Sequence, residues 1–337
     1  MKIIDLRSDT VTCPTQAMRT VMAEAEVGDD VYGEDPTVNR LQQLAAETIG
    51  TEAALFVSSG TQSNLLALFS HCRRGDEYIV GQEAHTYKFE GGGGAILASI
   101  QPQPIHFETD GRLDLDKVAS MIKPIDDHFA RTRLLCLENT HNGKVLPLDY
   151  LELVRPFADQ HGLSLHLDGA RVFNAAVKLN IPVMEITRSF DSISFCLSKG
   201  LGAPVGSVLC GSDNFIHRAR RWRKVLGGGM RQAGILAAAG IHALENHVDR
   251  LIDDHENARI LAEGLAKFPA LTIDPNTVQT NMIFFSLDPQ RSEALKTHCK
   301  AQGILLSGRG EFRLVAHLDI TAEDVQNVIQ VFEMFFA

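Results

Sequence analysis

Short apolar runs alternate with helical stretches between about residues 35 and 211, and this alternation constrains the fold more than any other feature. The runs lack the strict every-second-residue pattern of a sheet with one wet face, so they predict strands covered on both sides. The expected strands are AALFV (53–57), EYIVG (77–81), PIHFE (104–108), RLLCLE (133–138), LSLHLD (163–168), SISFCL (192–197) and SVLCG (207–211). Helices between several of them, such as 114–122 and 149–161, indicate an α/β domain with a mainly parallel sheet.

The pattern changes after Gly229. Residues 230–267 read as almost continuous helix, followed by a strand at 280–287, a helix at 290–302, two short strands (ILLS and FRLVAH) and a last helix from Thr321. We therefore expect two domains: residues 1–245, with an N-terminal arm over 1–30, and a smaller α+β domain over 246–337. A chain of 337 residues has the length for two such units.

The charge balance argues against some partners. Lys and Arg total 32 against 42 Asp and Glu, a net charge of −10, so neither nucleic acid nor an anionic membrane is expected as the main partner. The start MKIIDLRSDT has no apolar signal-peptide core, and no apolar run spans a bilayer. The six scattered cysteines form no CxxC motif and indicate reduced thiols in a cytoplasmic protein with no metal site.

Lys199 follows a predicted buried strand and lies among small residues in SKGLGAPVG (198–206). Burying a charged lysine is costly, and the neutral amine is the form that Schiff-base chemistry requires. A solvated loop lysine is the simpler interpretation of any single lysine. The strand before it and the glycines around it leave the two interpretations about equally supported.

HLDGAR (166–171) puts Asp168 at the end of another predicted strand, where sheet enzymes of this type bind ligands. A carboxylate there can hold a protonated pyridine nitrogen. Arg171 can reach an oxygen on the ring of such a pyridine cofactor, or a substrate carboxylate. A structural aspartate that caps the next helix explains Asp168 equally well.

SSGTQSN (58–64) joins a strand to a helix, and the free N–H groups of that helix start can hold a phosphate. The motif alone is weak, since many strand–helix turns look alike. His85 follows another strand and can stack on a cofactor ring, although a lone histidine is more often structural. The glycine run 91–94 is expected to be a flexible loop near the site and is no dinucleotide fingerprint.

The basic run RARRWRK (218–224) normally indicates a solvated helix face. Here GGGMRQ follows at once, so Lys224 and Arg231 flank a glycine hinge. That hinge can bring both side chains onto a phosphate group.

Together, these segments resemble the L-threonine aldolases, pyridoxal-phosphate (PLP) enzymes of the aspartate-aminotransferase fold. The resemblance covers essentially the whole chain and is strongest for the low-specificity and L-allo-threonine branch. It rests on DLRSDTVT (5–12), GDDVYGEDPTVNRLQ (28–42), SSGTQSN, LENTHNGKVLPL (137–148), HLDGAR, CLSKGLGAPVGS (196–207) and GGGMRQAGILAAAG (227–240).

The resemblance implies a role for each matching residue around the cofactor. Lys199 matches the Schiff-base lysine, and Asp168 matches the partner of the pyridine nitrogen. His85 matches the histidine that stacks on the ring and also helps to position the catalytic base. Gly60 and Thr61 match the phosphate-binding turn.

Other matches imply how substrate is held. Ser8, Arg171 and Arg313 match the groups that bind the substrate carboxylate, and His128 matches a histidine near its β-hydroxyl. The implied reaction is retro-aldol cleavage of L-threonine or L-allo-threonine to glycine and acetaldehyde.

Tyr32, Lys224 and Arg231 match residues that enter the site from a neighbouring subunit. The resemblance therefore implies a homo-oligomer with shared sites, built as a dimer of dimers.

Three rival interpretations remain. A PLP-dependent β-eliminating lyase or transaminase would share Lys199 and Asp168 but would release pyruvate or make a keto acid. A non-catalytic PLP-binding regulator is disfavoured, since no DNA-binding module is attached. A nicotinamide dehydrogenase lacks its glycine fingerprint.

Overall fold

The computed structural model describes residues 2–337. Its strands are β1 (Ile4–Asp5), β2 (Ala53–Val57), β3 (Asp76–Gly81), β4 (Gln101–Ile105), β5 (Arg131–Glu138), β6 (Ser164–Asp168), β7 (Ser192–Cys196), β8 (Ser207–Gly211), β9 (Met282–Ser286), β10 (Ile304–Leu305), β11 (Gly308–Arg309) and β12 (Glu311–Val315). Its α-helices are α1 (Gln16–Ala23), α2 (Pro36–Ile49), α3 (Gly60–His71), α4 (His85–Lys88), α5 (Gly93–Ala98), α6 (Leu115–Met121), α7 (Leu148–His161), α8 (Val172–Leu179), α9 (Met184–Thr187), α10 (Asp213–Val225), α11 (Gly234–Asn246), α12 (Leu251–Leu265), α13 (Ser292–Ala301) and α14 (Ala322–Phe336). Short 3-10 helices cover Asp9–Val11 and Pro275–Thr277.

The central sheet has seven strands in the order β2-β8-β7-β6-β5-β3-β4. Only β8 runs against its neighbours, so the other six strands end at the same edge of the sheet. Strands β6, β7 and β8 carry almost fully buried side chains, as does β5 from Leu134 to Leu137, as expected for a sheet with helices on both faces. The prediction of a mainly parallel α/β sheet is confirmed.

The predicted position of one strand is wrong. The sequence placed it at 104–108, whereas β4 covers Gln101–Ile105 and includes Pro102 and Pro104. Proline cannot donate to a ladder, so the sequence pattern favoured a later start. Strand β4 tolerates both prolines because it is an edge strand that pairs only with β3.

The glycine run at 91–94 also differs from expectation. Gly91 and Gly92 adopt left-handed angles, but Gly93 and Gly94 are buried and begin α5. A β-carbon on Gly93 would lie 2.7 Å from Leu65 of α3, so close helix packing explains this glycine better than flexibility does.

The C-terminal part forms its own hydrophobic core under the three-stranded antiparallel sheet β11-β12-β9. The predicted continuous helix at 230–267 is interrupted, because α11 ends at Asn246 and α12 begins at Leu251. Strand β1 pairs in parallel with β10, and Ile4 and Leu6 pack in this second core. The first residues of the chain thus pack against the C-terminal part. The predicted domain boundary at residue 245 stays a prediction.

No helix within residues 2–337 combines the length and apolar character needed to cross a bilayer. All six cysteines are free, and only Cys13 is exposed.

Candidate active site

Lys199 lies in the turn between β7 and the reversed strand β8. Gly202 donates its N–H to the Lys199 carbonyl at 2.8 Å and has a φ of +79°, which suits glycine and closes the turn tightly. The Lys199 side chain is half-buried, and its amine has no ion-pair or hydrogen-bond partner among residues 2–337. Its charge acts on the pKa values of Asp9 and His85, so the three groups share one region.

Asp168 ends β6 and is 3% exposed. Its Oδ1 accepts the backbone N–H of Ala170 at 3.1 Å, and its Oδ2 accepts the side-chain amide of Asn64 at 2.8 Å. Both partners are neutral, and Asp168 forms no ion pair within the described part of the chain. A buried, unpaired carboxylate of this kind is costly unless a cationic group joins it.

His85 begins α4 after β3, and its backbone N–H donates to Glu138 at 2.8 Å. Its ring Nδ1 lies 2.9 Å from Oε1 of Glu90. This hydrogen bond raises the pKa of His85; burial opposes the rise and the Asp168 charge adds to it. His85 and Asp168 therefore lie at the same sheet edge, on neighbouring parts of one polar cluster.

Asn64 and Glu90 are site residues that the sequence interpretation did not name. The Asn64 amide donates to both Asp168 and Glu90, each at 2.8 Å. Single atoms of His85, Glu90 and Asp168 lie within 4.8 Å of one another, a spacing that the shared Asn64 amide accounts for. Asn64 was within reach of the sequence, since it ends the quoted motif SSGTQSN and lies on the buried side of α3. Glu90 carried no such signal.

The predicted phosphate turn forms the start of α3. Ser59 caps the helix by accepting the Gln62 N–H at 3.1 Å. The N–H groups of Gly60 and Thr61 occupy the first turn, where a helix offers no carbonyl partner. A β-carbon on Gly60 would lie 3.0 Å from Sγ of Cys196, so the glycine lets this turn approach β7 closely.

Arg171 donates to both oxygens of Asp9, from Nε at 2.7 Å and from Nη2 at 2.6 Å. Burial would raise the pKa of Asp9, but Arg171 and, more weakly, Lys199 lower it to about 2. The sequence interpretation missed Asp9 and assigned Arg171 to a cofactor ring oxygen or a substrate carboxylate, which stays a prediction. In the structure, the carboxylate that meets Arg171 comes from the N-terminal arm.

Arg313 on β12 and Ser8 are the other predicted substrate groups. Arg313 is partly buried and forms no ion pair among residues 2–337. Burial lowers the pKa of Arg313, and the nearby Arg171 charge lowers it further. Ser8 caps the 3-10 helix that carries Asp9. Among residues 2–337, the Arg313 guanidinium therefore has no carboxylate partner.

His128 lies away from these groups. It precedes β5, whose eight residues span about 23 Å from Arg131 to the Glu138 edge. Three residues of chain extend at most roughly 11 Å, so His128 cannot fold back to the site of its own chain. Its side chain is 86% exposed, and its one hydrogen-bond partner among residues 2–337 is Asp126 of the same loop. Within one chain, the predicted histidine beside the substrate is not brought to Asp168.

Tyr32, Lys224 and Arg231 are exposed, and the segments that carry them pack together. Asp30 donates its N–H to the Arg231 carbonyl at 3.1 Å, and Arg231 forms an ion pair with Asp29 at 2.9 Å.

The neighbouring Arg223 differs from the solvated face that its basic run predicted. It is 2% exposed and donates to Asp30 at 2.7 Å and to the Phe56 carbonyl at 2.8 Å. This buried pair fixes α10 to the segment that bears Tyr32.

The fold is that of the fold type I PLP-dependent enzymes. Two solved structures of under 25% identity share it: a Leishmania major threonine aldolase (TM-score 0.85, 21% identity, 99% of this chain and 100% of that chain) and an SPT carrying PLP (TM-score 0.76, 18% identity, 98% and 87%). Residues 5–288 match the model of the beta-eliminating lyase family.

A closer relationship is given by sequence. The low specificity L-threonine aldolase of Escherichia coli K12 is 56% identical over 335 residues, which cover 99% of this chain and 100% of that protein. The chain belongs to the low-specificity L-threonine aldolase family.

Proposed function

We propose that this chain is a PLP-dependent lyase that reversibly cleaves L-threonine, L-allo-threonine and other L-3-hydroxy-α-amino acids to glycine and an aldehyde. The observation that carries the proposal is the buried carboxylate of Asp168, which lies at the same sheet edge as Lys199. Among residues 2–337, Asp168 has only neutral partners and the Lys199 amine has none. The 56% identity to the E. coli aldolase supports the choice of reaction.

The residues at this edge fit PLP. Asp168 is suited to a protonated ring nitrogen, and Lys199 to a covalent bond with the aldehyde carbon. The Gly60 and Thr61 N–H groups are suited to the phosphate. The His85 ring is suited to one face of the pyridine. When bound, PLP supplies an electron sink for the electrons of the breaking Cα–Cβ bond.

The remaining task of the protein is to hold the substrate and move two protons. Arg313, Arg171 and Ser8 are our candidates for binding the substrate carboxylate, a contact that would fix which bond at Cα is broken. A base takes the β-hydroxyl proton, the Cα–Cβ bond breaks, acetaldehyde leaves, and Cα takes up a proton to give glycine. His85, at the same sheet edge as Asp168, is our candidate for helping to position that base.

We also propose that the sites are shared in a dimer of dimers. Tyr32, Lys224 and Arg231 are exposed on one surface, where large apolar side chains such as Val225 (63% exposed) are also uncovered. His128 can act on substrate only in the site of another copy. The free thiols support a reducing, cytoplasmic location.

The test is turnover by purified, PLP-loaded enzyme of L-threonine, L-allo-threonine and their D forms, with acetaldehyde and glycine measured. Both L forms should be cleaved and neither D form. Release of pyruvate instead of acetaldehyde would favour a β-eliminating lyase and contradict the proposal. Borohydride reduction should fix PLP to Lys199, and a peptide map showing another lysine would refute that assignment.

A further inference from the structure

A buried chain of hydrogen bonds converges on Asp168 and Glu90. The Asn64 amide nitrogen has two hydrogens and lies 2.8 Å from one oxygen of each carboxylate, so each receives one hydrogen. Asn64, Glu90 and Asp168 are 1%, 7% and 3% exposed. Water does not replace these bonds, and the two carboxylates are held at a fixed separation.

The chain continues behind Asn64 and has one direction. Oδ1 of Asn64 can only accept, so His166, at 3.1 Å, carries its hydrogen on Nε2. Burial lowers the pKa of His166 to about 4, so the ring is neutral and its Nδ1 accepts the Ser192 hydroxyl at 2.8 Å. Ser192 in turn accepts from Nε2 of His71 at 2.7 Å. Every hydrogen in this series points toward the two carboxylates.

The other end of the chain is His85. Oε1 of Glu90 accepts the Asn64 amide and lies 2.9 Å from Nδ1 of His85. Burial raises the pKa of Glu90, and the hydrogen bonds from His85 and Asn64 partly offset that rise. Because Oε1 already accepts the amide, it also accepts from the ring, and the hydrogen of a neutral ring lies on Nδ1. The second ring nitrogen, Nε2, then has no hydrogen in the neutral ring. In free imidazole the tautomers exchange, and a hydrogen bond at one nitrogen decides which is present.

We propose that Glu90 and Asn64 are positioning residues for the reaction: Glu90 holds His85 with its hydrogen on Nδ1 and Nε2 open, and Asn64 couples Glu90 to Asp168. The tautomer is a property of the chain itself. Only the further statement, that the open Nε2 holds and releases a reaction proton, rests on the proposed function.

The first test reads the tautomer directly. Holoenzyme labelled with 15N-histidine is studied by magic-angle-spinning NMR, with the His85 signals assigned by their loss in His85→Gln. In the parent, Nδ1 should be protonated and Nε2 unprotonated. In Glu90→Leu the Nε2-protonated form should become the major one. Retention of Nδ1–H in that variant, or Nε2–H in the parent, would overturn the proposal.

A second variant covers the case in which Glu90→Leu does not fold. Glu90→Gln keeps an oxygen that can accept from Nδ1, so the tautomer should persist. Glu90→Gln removes one negative charge from beside the His85 ring. The charged groups that remain near His85 are Asp168, Lys199 and, at the backbone N–H, Glu138. The His85 pKa should fall, and the acidic limb of the kcat/KM profile should move to lower pH. An unmoved limb in a folded variant contradicts the proposal.

The chain provides a matched control in Glu77, a fully buried carboxylate on β3 that bonds to Lys123 and Thr132. Glu77→Gln should leave the His85 tautomer and the acidic limb unchanged. If Glu77→Gln moved either as far as Glu90→Gln does, the effect would be general and the proposal would fail.

Asn64 is tested by cofactor affinity. Asn64→Leu removes a neutral donor to two charged acceptors, which should weaken PLP binding to apoenzyme by roughly 10- to 100-fold in a fluorescence titration. Ser192→Ala breaks only the hydrogen bonds of Ser192 with His166 and His71, which lie beyond Asn64, and should change PLP affinity by less than about threefold. Equal effects of the two variants would refute the role of Asn64. The NMR result also separates this inference from the proposed function, since the tautomer is read without turnover.

Discussion

Arg171 and Asp9 form a two-point ion pair, with N–O distances of 2.6 and 2.7 Å, that joins the N-terminal arm to the segment after β6. Asp9 is completely buried, and its position is fixed further by Asn281 at 3.4 Å. Asp9 uses two of the five N–H donors of Arg171, so Arg171 keeps donors for a ligand while it also holds the arm, whereas Arg313 has no such structural partner among residues 2–337.

This relationship predicts different outcomes for two arginines. Arg313→Ala should raise KM for L-threonine by about 10- to 100-fold with little change in melting temperature, because it removes a charge-assisted contact with substrate. Arg171→Ala should destabilise the fold by about 3–5 kcal/mol, because it leaves the buried Asp9 without its partner. Steady-state kinetics and thermal unfolding of both variants test this. A stable Arg171→Ala enzyme with only a raised KM would contradict it.

Asp168→Asn should keep the fold and lose roughly three decades of turnover, since a neutral amide cannot stabilise a ring cation in a site of low dielectric. The assay is acetaldehyde release at saturating PLP. Asp253→Asn, on the exposed side of α12, is the control and should behave as the parent. Near-normal activity of Asp168→Asn would remove the carboxylate from the proposed site.

Much of the sheet could be predicted from sequence, because buried strands such as 53–57 and 207–211 are continuous apolar runs bounded by turn residues. Helix α2 could also be predicted from the sequence, since Asp35 caps it and Gly50 ends it with a φ of +79°. Strand β4 was misplaced because its edge position, which makes its prolines acceptable, is a property of the whole sheet.

In the candidate site too, some features follow from the local sequence and others depend on the whole fold. Lys199 and Asp168 follow strands directly, so their meeting at one edge follows from parallel pairing. The packing of the N-terminal arm brings Asp9 to the site, and the packing of the segment after the short helix α4 brings Glu90 there. Neither arrangement produces a periodic pattern in the sequence. His128 shows the opposite case, because the resemblance named it but the topology carries it away from the site of its own chain.

His166 predicts a pH dependence of stability. Its pKa falls from an ordinary 6.5 to about 4 on folding, so the unfolded chain binds a proton that the folded chain refuses between these values. Stability should fall as the pH drops from 6.5 toward 4, with His166 contributing up to about 1.4 kcal/mol per pH unit. His166→Gln should flatten this slope in urea unfolding at fixed protein concentration. An unchanged slope would mean that His166 does not contribute.

The buried Arg223–Asp30 ion pair joins α10 to the segment that bears the exposed Tyr32, and breaking this pair should lower the stability of the fold. Arg223→Ala should cost about 3–5 kcal/mol of stability, because Asp30 would remain buried and uncompensated. Asp30→Asn in the same chain should recover part of the loss. Thermal unfolding measures both. Arg220→Ala, on the same helix but half-buried and without an ion pair among residues 2–337, is the control and should cost less than about 1 kcal/mol.

Shared sites predict complementation between inactive chains. When Lys199→Ala and Arg231→Ala subunits exchange, one site of each hybrid pair should contain neither defect, and activity should exceed that of either parent. Lys199→Ala mixed with His128→Ala should recover for the same reason. Lys199→Ala mixed with Asp168→Asn is the control without recovery, because both defects belong to the same chain's site. Recovery in the control, or none in the tests despite proven exchange, would contradict this arrangement.

The reversed strand β8 has a consequence for cofactor size. It separates β2, which leads into the Gly60 turn, from β7, which leads to Lys199. Two strand spacings amount to about 10 Å. The Gly60 turn narrows this gap, because a β-carbon on Gly60 would lie 3.0 Å from Sγ of Cys196 at the end of β7. Backbone hydrogen bonds set the strand spacing, and the lack of a side chain at position 60 sets how near the turn comes to the end of β7. A ligand must carry its anionic group and its carbonyl at a matching separation to reach both ends at once.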